Sequence, residues 1–174
     1  MNNRLKPTFF ENSFYSLDFD KIANKGYLYL FVDLDNTLAS PYVYNPDESL
    51  KSLLADIKDK GIEVIVISNN HEDRVCLFCK DLDVRYIYEC KKPNHKKIDN
   101  YINDNNMDRS KILFIGDQVM TDVNVANKLG VDVCLLNPLT KKDEPITFFP
   151  RLLDKHYKRI ILKKHYYRRI NDDW

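Results

Sequence analysis

The apolar positions of this 174-residue chain follow two alternating periods. Short runs rich in β-branched and aromatic residues predict five buried strands. They are "YLYLFVD" (Tyr27–Asp33), "IEVIVIS" (Ile62–Ser68), "VRYIYE" (Val84–Glu89), "KILFIGD" (Lys111–Asp117) and "VDVCLLN" (Val131–Asn137). The segments between them carry helical spacing. Leu50, Leu53, Leu54 and Ile57 recur along "DESLKSLLADIKDKG", with Gly61 just past the end. "EDRVCLFCKDL" and "NHKKIDNYINDNNM" predict two further helices, the second on Ile98, Tyr101 and Ile102. "TDVNVANKLG" predicts a fourth, with Thr121 as N-cap and Gly130 as C-cap.

Strand and helix in alternation imply a single α/β domain over residues 1–174, with a five-stranded parallel sheet and helices on both faces. Such folds bind ligands beyond the carboxyl ends of their strands. The first strand delivers Asp33 and Asp35 there, and the second delivers Ser68, Asn69 and Asn70. After the third come Lys91 and Lys92, and after the fourth Asp117, with Asp122 at the next helix start. Any one of these is ordinarily a cap or a solvated charge. Their succession at neighbouring strand ends points to one crevice.

Bulk properties narrow the class. The chain is 44% hydrophobic and 30% charged, in the range of globular proteins. A net charge of +1 gives no reason to expect nucleic acid. No run approaches a membrane span, and the polar N-terminus lacks the apolar block of a signal peptide. Four cysteines in such a chain suit reduced thiols and a cytoplasmic location.

The four polar clusters resemble the four motifs of the haloacid dehalogenase (HAD) superfamily of phosphohydrolases. "DLDNT" is similar to its first motif, "ISNN" to its second, "KKP" to its third, and "GDQVMTD" to its fourth. The Lys-Pro form matches subfamily IIIA. The stretches "KPTFFENSFYSLDFDKIANKGYLYLFVDLDNTL", "SNNHEDRV" and "IGDQVMTDV" resemble, more narrowly, the YqeG-like family of HAD phosphatases. The resemblance implies a three-layer Rossmann-like fold and Mg²⁺-dependent hydrolysis of phosphomonoesters. Phosphatidylglycerophosphate ranks first as substrate. A soluble phosphorylated metabolite or nucleotide is the alternative.

The chemistry fits those residues. A phosphate ester is anionic and repels a carboxylate nucleophile, and a divalent cation between them removes the repulsion. Oxygen ligands suit Mg²⁺. Asp33 is the expected nucleophile, forming an aspartyl-phosphate. Asp35 is the expected general acid and base, two residues on and so on the same side of an extended chain. Asp33, Asp117, the Asp35 carbonyl and Asp122 make the expected metal site. Ser68 and Asn69 are expected on phosphoryl oxygens, and Lys92 as the neutralising cation, with Lys91 its competitor. Thr37 is expected to brace its loop, and Arg74 is weighed between a solvated charge and a substrate contact.

Cys76 and Cys79 sit three apart in a helical pattern. Packing is the main reading there, with zinc or redox chemistry the minor ones. One helix and one strand fill each gap between motifs, leaving no room for an inserted cap domain. The site is therefore expected to be open, with the loop Ser40–Pro46 and its Tyr42 and Tyr44 as a local lid. A receiver-type signalling module shares several residue types, but its phospho-accepting Asp follows the third strand, where this chain has "YIYECKKP".

The C-terminal stretch concentrates charge. Residues 151–174 hold eight Lys or Arg against three Asp. They predict a basic amphipathic helix with Phe149, Leu153, Tyr157, Ile160 and Tyr167 on one side, and Arg151, Lys158 and Arg169 opposite. It is expected to dock on the sheet or to lie peripherally on an anionic membrane, with nucleic-acid or ribosome binding the minor reading.

Overall fold

The computed structural model describes residues 3–140 and 148–172. Its strands are β1 (Phe9–Glu11), β2 (Tyr29–Asp33), β3 (Glu63–Ile67), β4 (Arg85–Ile87), β5 (Ile112–Gly116) and β6 (Asp132–Leu136). They form one sheet in the order β1-β6-β5-β2-β3-β4, with every pairing parallel. The sheet thus has six strands rather than the expected five. The addition is β1, whose Phe9, Phe10 and Glu11 pair with Cys134, Leu135 and Leu136. Three residues are too few to display a period, so this strand is defined by its distant partner rather than by its own pattern.

The helices are α1 (Phe19–Asn24), α2 (Glu48–Asp59), α3 (Glu72–Cys79), α4 (Lys96–Asp104), α5 (Asn124–Leu129) and α6 (Phe148–Lys164). Alternate strand residues feed two separate cores. Leu30, Val32, Val64, Val66, Leu113 and Ile115 pack under α1, α2 and α3, through Ile22, Leu54 and Phe78 among others. Phe31, Ile65, Ile67, Phe114 and Val133 pack under α4, α5 and α6, through Ile98, Ala126 and Ile161. Both faces are covered, which is why the central strands read as continuous apolar runs.

Local rules account for most boundaries. The Asp47 carboxylate caps α2 by accepting the Leu50 N–H at 2.8 Å, and Gly61 beyond its end takes φ +78. Gly130 closes α5 at φ +71. The start of α5 departs from expectation. A π-helical turn over Val119–Val123 precedes it, and Thr121 is not its cap. The backbone N–H groups of Val119 and Met120 are instead accepted by the carboxylate of Asp154, on α6, at 2.9 and 2.8 Å.

The C-terminal segment also differs from a single helix over 151–174. Helix α6 stops at Lys164, and His165 turns the chain with φ +49. The following residues return to the sheet edge. There the Phe10 N–H donates to the Arg168 carbonyl and the Arg168 N–H to the Thr8 carbonyl, at 2.9 and 3.0 Å. Tyr167 therefore lies off the helix, packed against Phe10. The inward side of α6 is formed by Asp154, Tyr157, Lys158 and Ile161, while Leu153 is 43% exposed. Lys158 was expected on the solvated side. It turns inward because the Leu136 carbonyl accepts from its ammonium, with the carboxylates of Asp117 and Asp154 nearby. The side chains of Phe149 and Arg151 lie outside the described residues.

Candidate active site

Parallel strands of similar register end together, and their last residues meet at one edge. Asp33 closes β2 beside Ile67 at the end of β3, and Ser68 is the next residue along. The chain after Asp33 leaves the sheet at once. Leu34 O accepts the N–H groups of Leu38 and Ala39, and Asn36 takes φ +65. The Asn36 amide oxygen accepts from the Thr140 hydroxyl at 2.7 Å. These bonds hold the loop, whereas the buried Thr37 hydroxyl has no partner among the described residues.

Lys92 is the hub of the site. Its ammonium lies 2.5 Å from Asp33 Oδ1 and 2.7 Å from Asp122 Oδ1, and also donates to the Ile67 carbonyl at 3.2 Å. Lys91 is exposed, whereas Lys92 is buried among these carboxylates. The Asn69 side chain brackets the Lys92 backbone, accepting its N–H at 2.7 Å and donating to its carbonyl at 3.3 Å. Asn69 thereby acts on the lysine, and its side chain is not held free for a phosphoryl group. The Ser68 hydroxyl is buried and accepts the Asn70 N–H at 3.1 Å.

Asp33, Asp117 and Asp122 offer carboxylate oxygens that all lie within 4.8 Å of one another. Gly116 permits this. A Cβ there would meet Asp122 Cγ at 2.4 Å, so a side chain at the end of β5 would push Asp122 out of the cluster. The three carboxylates crowd round the Lys92 ammonium, and a divalent cation would relieve their mutual repulsion. Asp117 Oδ1 is buried with no hydrogen-bond partner among the described residues. An all-oxygen donor set with an orphaned carboxylate oxygen fits Mg²⁺.

Asp35 stands apart from that cluster. Its carboxylate accepts from Arg74 Nη2 at 3.0 Å and from the Asn70 side-chain amide. Only its carbonyl is left for the role in the metal site expected of Asp35. Both Asp33 and Asp35 line one cavity of about 520 Å³, together with Tyr44, Ser68, Arg74 and Lys92. Tyr44, from the expected lid, reaches this cavity. Tyr42 is 55% exposed.

The electrostatics follow from burial and crowding. Burial pushes the Asp33 carboxyl up to about 7. Lys92 opposes the shift, and Asp122 and Asp35 add to it. Burial and then Asp33 and Asp122 hold Asp117 well above the usual carboxylate range. Burial works against the Lys92 ammonium, but Asp122 and Asp33 outweigh it and raise its pKa. On α6, burial pushes Asp154 up to about 6 and Lys158 down to about 8.

Sequence reasoning missed Asp154 and Lys158. Asp154 stands out only as an acid within a basic helix. Asn70 was collected with its neighbours but given no role, and the structure puts it on Asp35. Cys79 lies in the core, its thiol pushed up to about 12 by burial, and Cys76 Sγ is 3.1 Å from the Tyr86 hydroxyl.

A parallel sheet carries an acid at the end of β2, a buried lysine after β4 and two acids after β5, the arrangement expected of the HAD type. Comparison with known proteins agrees. The family model for haloacid dehalogenase-like hydrolases matches residues 29–136, and the chain belongs to that family. It is 29% identical over 158 residues to the probable phosphatase YqeG of Bacillus subtilis (strain 168), covering 91% of this chain and 92% of that one. In fold it is similar to an uncharacterized protein from Listeria monocytogenes serotype 4b, with a TM-score of 0.53 and 14% identity over 76% of this chain and 99% of that one. A hypothetical protein from Xanthomonas campestris gives a TM-score of 0.50 and 17% identity over 72% of each chain. The enzyme class is that of a phosphatase.

Proposed function

We propose that the chain hydrolyses phosphomonoesters through an aspartyl-phosphate on Asp33, with Mg²⁺ as cofactor. The observation that carries this reading is the Lys92 ammonium set between Asp33 and Asp122, beside the unpaired oxygen of Asp117. Asp33, Asp117, Asp122 and the Asp35 carbonyl would hold the cation directly or through water. When bound, it supplies charge neutralisation between the nucleophile and the phosphoryl oxygens. Lys92 favours the carboxylate form of the nucleophile and faces the transferring group. The Ser68 hydroxyl and the Asn69 backbone N–H would receive phosphoryl oxygens. Asp35 protonates the departing oxygen, then takes a proton from the water that cleaves the acyl-phosphate.

The substrate ranked first is phosphatidylglycerophosphate, met by a cytoplasmic enzyme peripherally bound to an anionic membrane. Two features support this. Among the described residues no inserted domain covers the cavity, so a head group anchored in a surface can enter. Leu152, Leu153 and Leu162 are exposed on α6 among the exposed basic residues Lys155, Arg159 and Lys163. Basic residues near an anionic surface contribute about 1 kcal/mol each. The decisive assay is phosphate release from a panel of soluble esters and vesicle-borne lipid phosphate, with and without chelator. Turnover that needs Mg²⁺ and disappears in Asp33→Asn is expected. Full turnover in chelator or in Asp33→Asn would overturn the mechanism, and equal sedimentation with anionic and neutral vesicles would overturn the membrane contact.

A further inference from the structure

The carboxylate of Asp35 is held from two sides. Arg74 Nη2 donates to its Oδ1 at 3.0 Å, and the side-chain amide of Asn70 donates to its Oδ2. Each holder is itself fixed. The Asn70 N–H donates to the Ser68 hydroxyl at 3.1 Å, and the Asn70 carbonyl accepts the Glu89 N–H at 2.8 Å. Arg74 sits in the first turn of α3 with its side chain 12% exposed. Its guanidinium carbon lies 5.3 Å from the ring centres of both Tyr44 and Phe78, and the two rings restrict its orientation. Among the described residues neither side chain has a hydrogen bond to Asp33, Asp117, Asp122 or Lys92.

The proton transfer assigned to Asp35 needs such a brace. Asp35 lies beyond the end of β2, so the sheet does not fix its side chain. In the first step an Asp33 oxygen bonds to phosphorus. The ester P–O bond breaks with its electron pair on the leaving oxygen, and the Asp35 proton passes to that oxygen. In the second step a water proton passes to Asp35 while the water oxygen displaces Asp33 from phosphorus. A carboxylate offers about four lone-pair sites. Asn70 and Arg74 occupy one on each oxygen, and the others stay open to the proton in transit. Both donors favour the anion that forms as the proton leaves. We infer that Asn70 and Arg74 are positioning residues that act through Asp35, aiming it at the leaving oxygen, and that their side chains hold neither the phosphoryl group nor the cation. The inference rests on the phosphatase reading above and adds two residues to its proton transfer.

The test uses two esters that differ in their need for a proton. p-Nitrophenol departs readily as an anion, whereas the alkoxide leaving from glycerol phosphate must be protonated. The readout is kcat/KM, which reports the step that breaks the ester bond. Asp35→Asn should lower it far more for glycerol phosphate. Asn70→Ala and Arg74→Gln should each lower the ratio of glycerol phosphate to p-nitrophenyl phosphate in the same direction. The expected fall is about 10- to 100-fold, the range for a lost hydrogen bond to a charged group. Arg74→Lys, which keeps a cation, should recover part of it. In the Asp35→Asn background neither change should lower the ratio further, because the group they act through is gone. Mg²⁺ binding, read by calorimetry, should persist in all of these variants. An equal fall for both esters in Asn70→Ala and Arg74→Gln, or the same fall in ratio repeated in the Asp35→Asn background, would overturn the inference and leave the phosphatase reading standing. No turnover of either ester by wild type would overturn that reading and the inference with it.

Discussion

Asp154 holds the backbone N–H of Met120 at 2.8 Å across 34 residues of chain, and with its other oxygen the N–H of Val119. The turn it grips lies between Asp117 and Asp122, two members of the acidic cluster. Helix α6 is therefore part of the support of the acidic cluster.

Replacing Asp154 with Ala leaves two buried N–H groups without an acceptor. Partners that orient metal ligands typically contribute 10- to 100-fold in affinity. Asp154→Ala is expected to weaken Mg²⁺ binding by at least about 10-fold, read by calorimetry, with Asp154→Asn intermediate. Removing residues 151–174 should abolish activity on soluble and vesicle-borne esters alike. A truncated chain that keeps turning over a soluble ester would contradict this support.

Gly116 has no side chain to offer the chemistry, yet it is expected to be intolerant. The Cβ of Gly116→Ala would overlap Asp122, and the neighbour that must give is a buried carboxylate paired with Lys92. Overpacking of this kind costs about 1–3 kcal/mol. Thermal or urea unfolding should show that loss, together with weaker Mg²⁺ binding. A variant with wild-type stability and metal affinity would show that Asp122 can move aside.

Asp35 and Asp33 should separate in their effects. Asp35→Asn leaves the carbonyl and the three-carboxylate cluster in place. Metal binding should therefore persist while turnover drops about 10²–10⁴-fold. Asp33→Asn should reduce both. Loss of metal binding in Asp35→Asn would place that carboxylate in the metal site after all.

The pH dependence follows from Asp33, whose carboxyl rises from 3.8 to about 7 on folding. A folded pKa above the unfolded value means that the folded, metal-free protein holds a proton the unfolded chain releases. Its stabilisation is complete below the unfolded value and is lost as pH rises through about 7. Metal-free protein should therefore unfold more easily at about pH 8 than at about pH 5.5, with a smaller difference in Asp33→Asn. Mg²⁺ must displace that proton, so its affinity should increase with pH and level off above about 7. Melts and calorimetry across this range check both, and a metal affinity independent of pH would refute the linkage.

Much of the molecule was legible in the chain alone. The central strands are buried on both faces, so their apolar runs mark them without reference to partners. Parallel strands ending at one edge bring their next residues together, so Asp33, Ser68, Lys92 and Asp117 could be grouped before any distance was known. What stayed hidden depends on contacts between remote segments. The strand Phe9–Glu11 exists because β6 and Arg168 flank it. Thr121 has the residue type of a cap, but the turn before α5 shifts the free N–H groups to Val119 and Met120, where only Asp154 reaches. The Asn69 side chain is taken up by the Lys92 backbone, a contact between residues 23 apart. Helical projection placed Lys158 in solvent, and the Leu136 carbonyl at the end of β6 draws it inward. Periodicity reports which side of an element is apolar. Where buried charges and unpaired N–H groups find their partners is decided only when the elements pack, because those interactions act over a few ångströms between residues far apart in sequence.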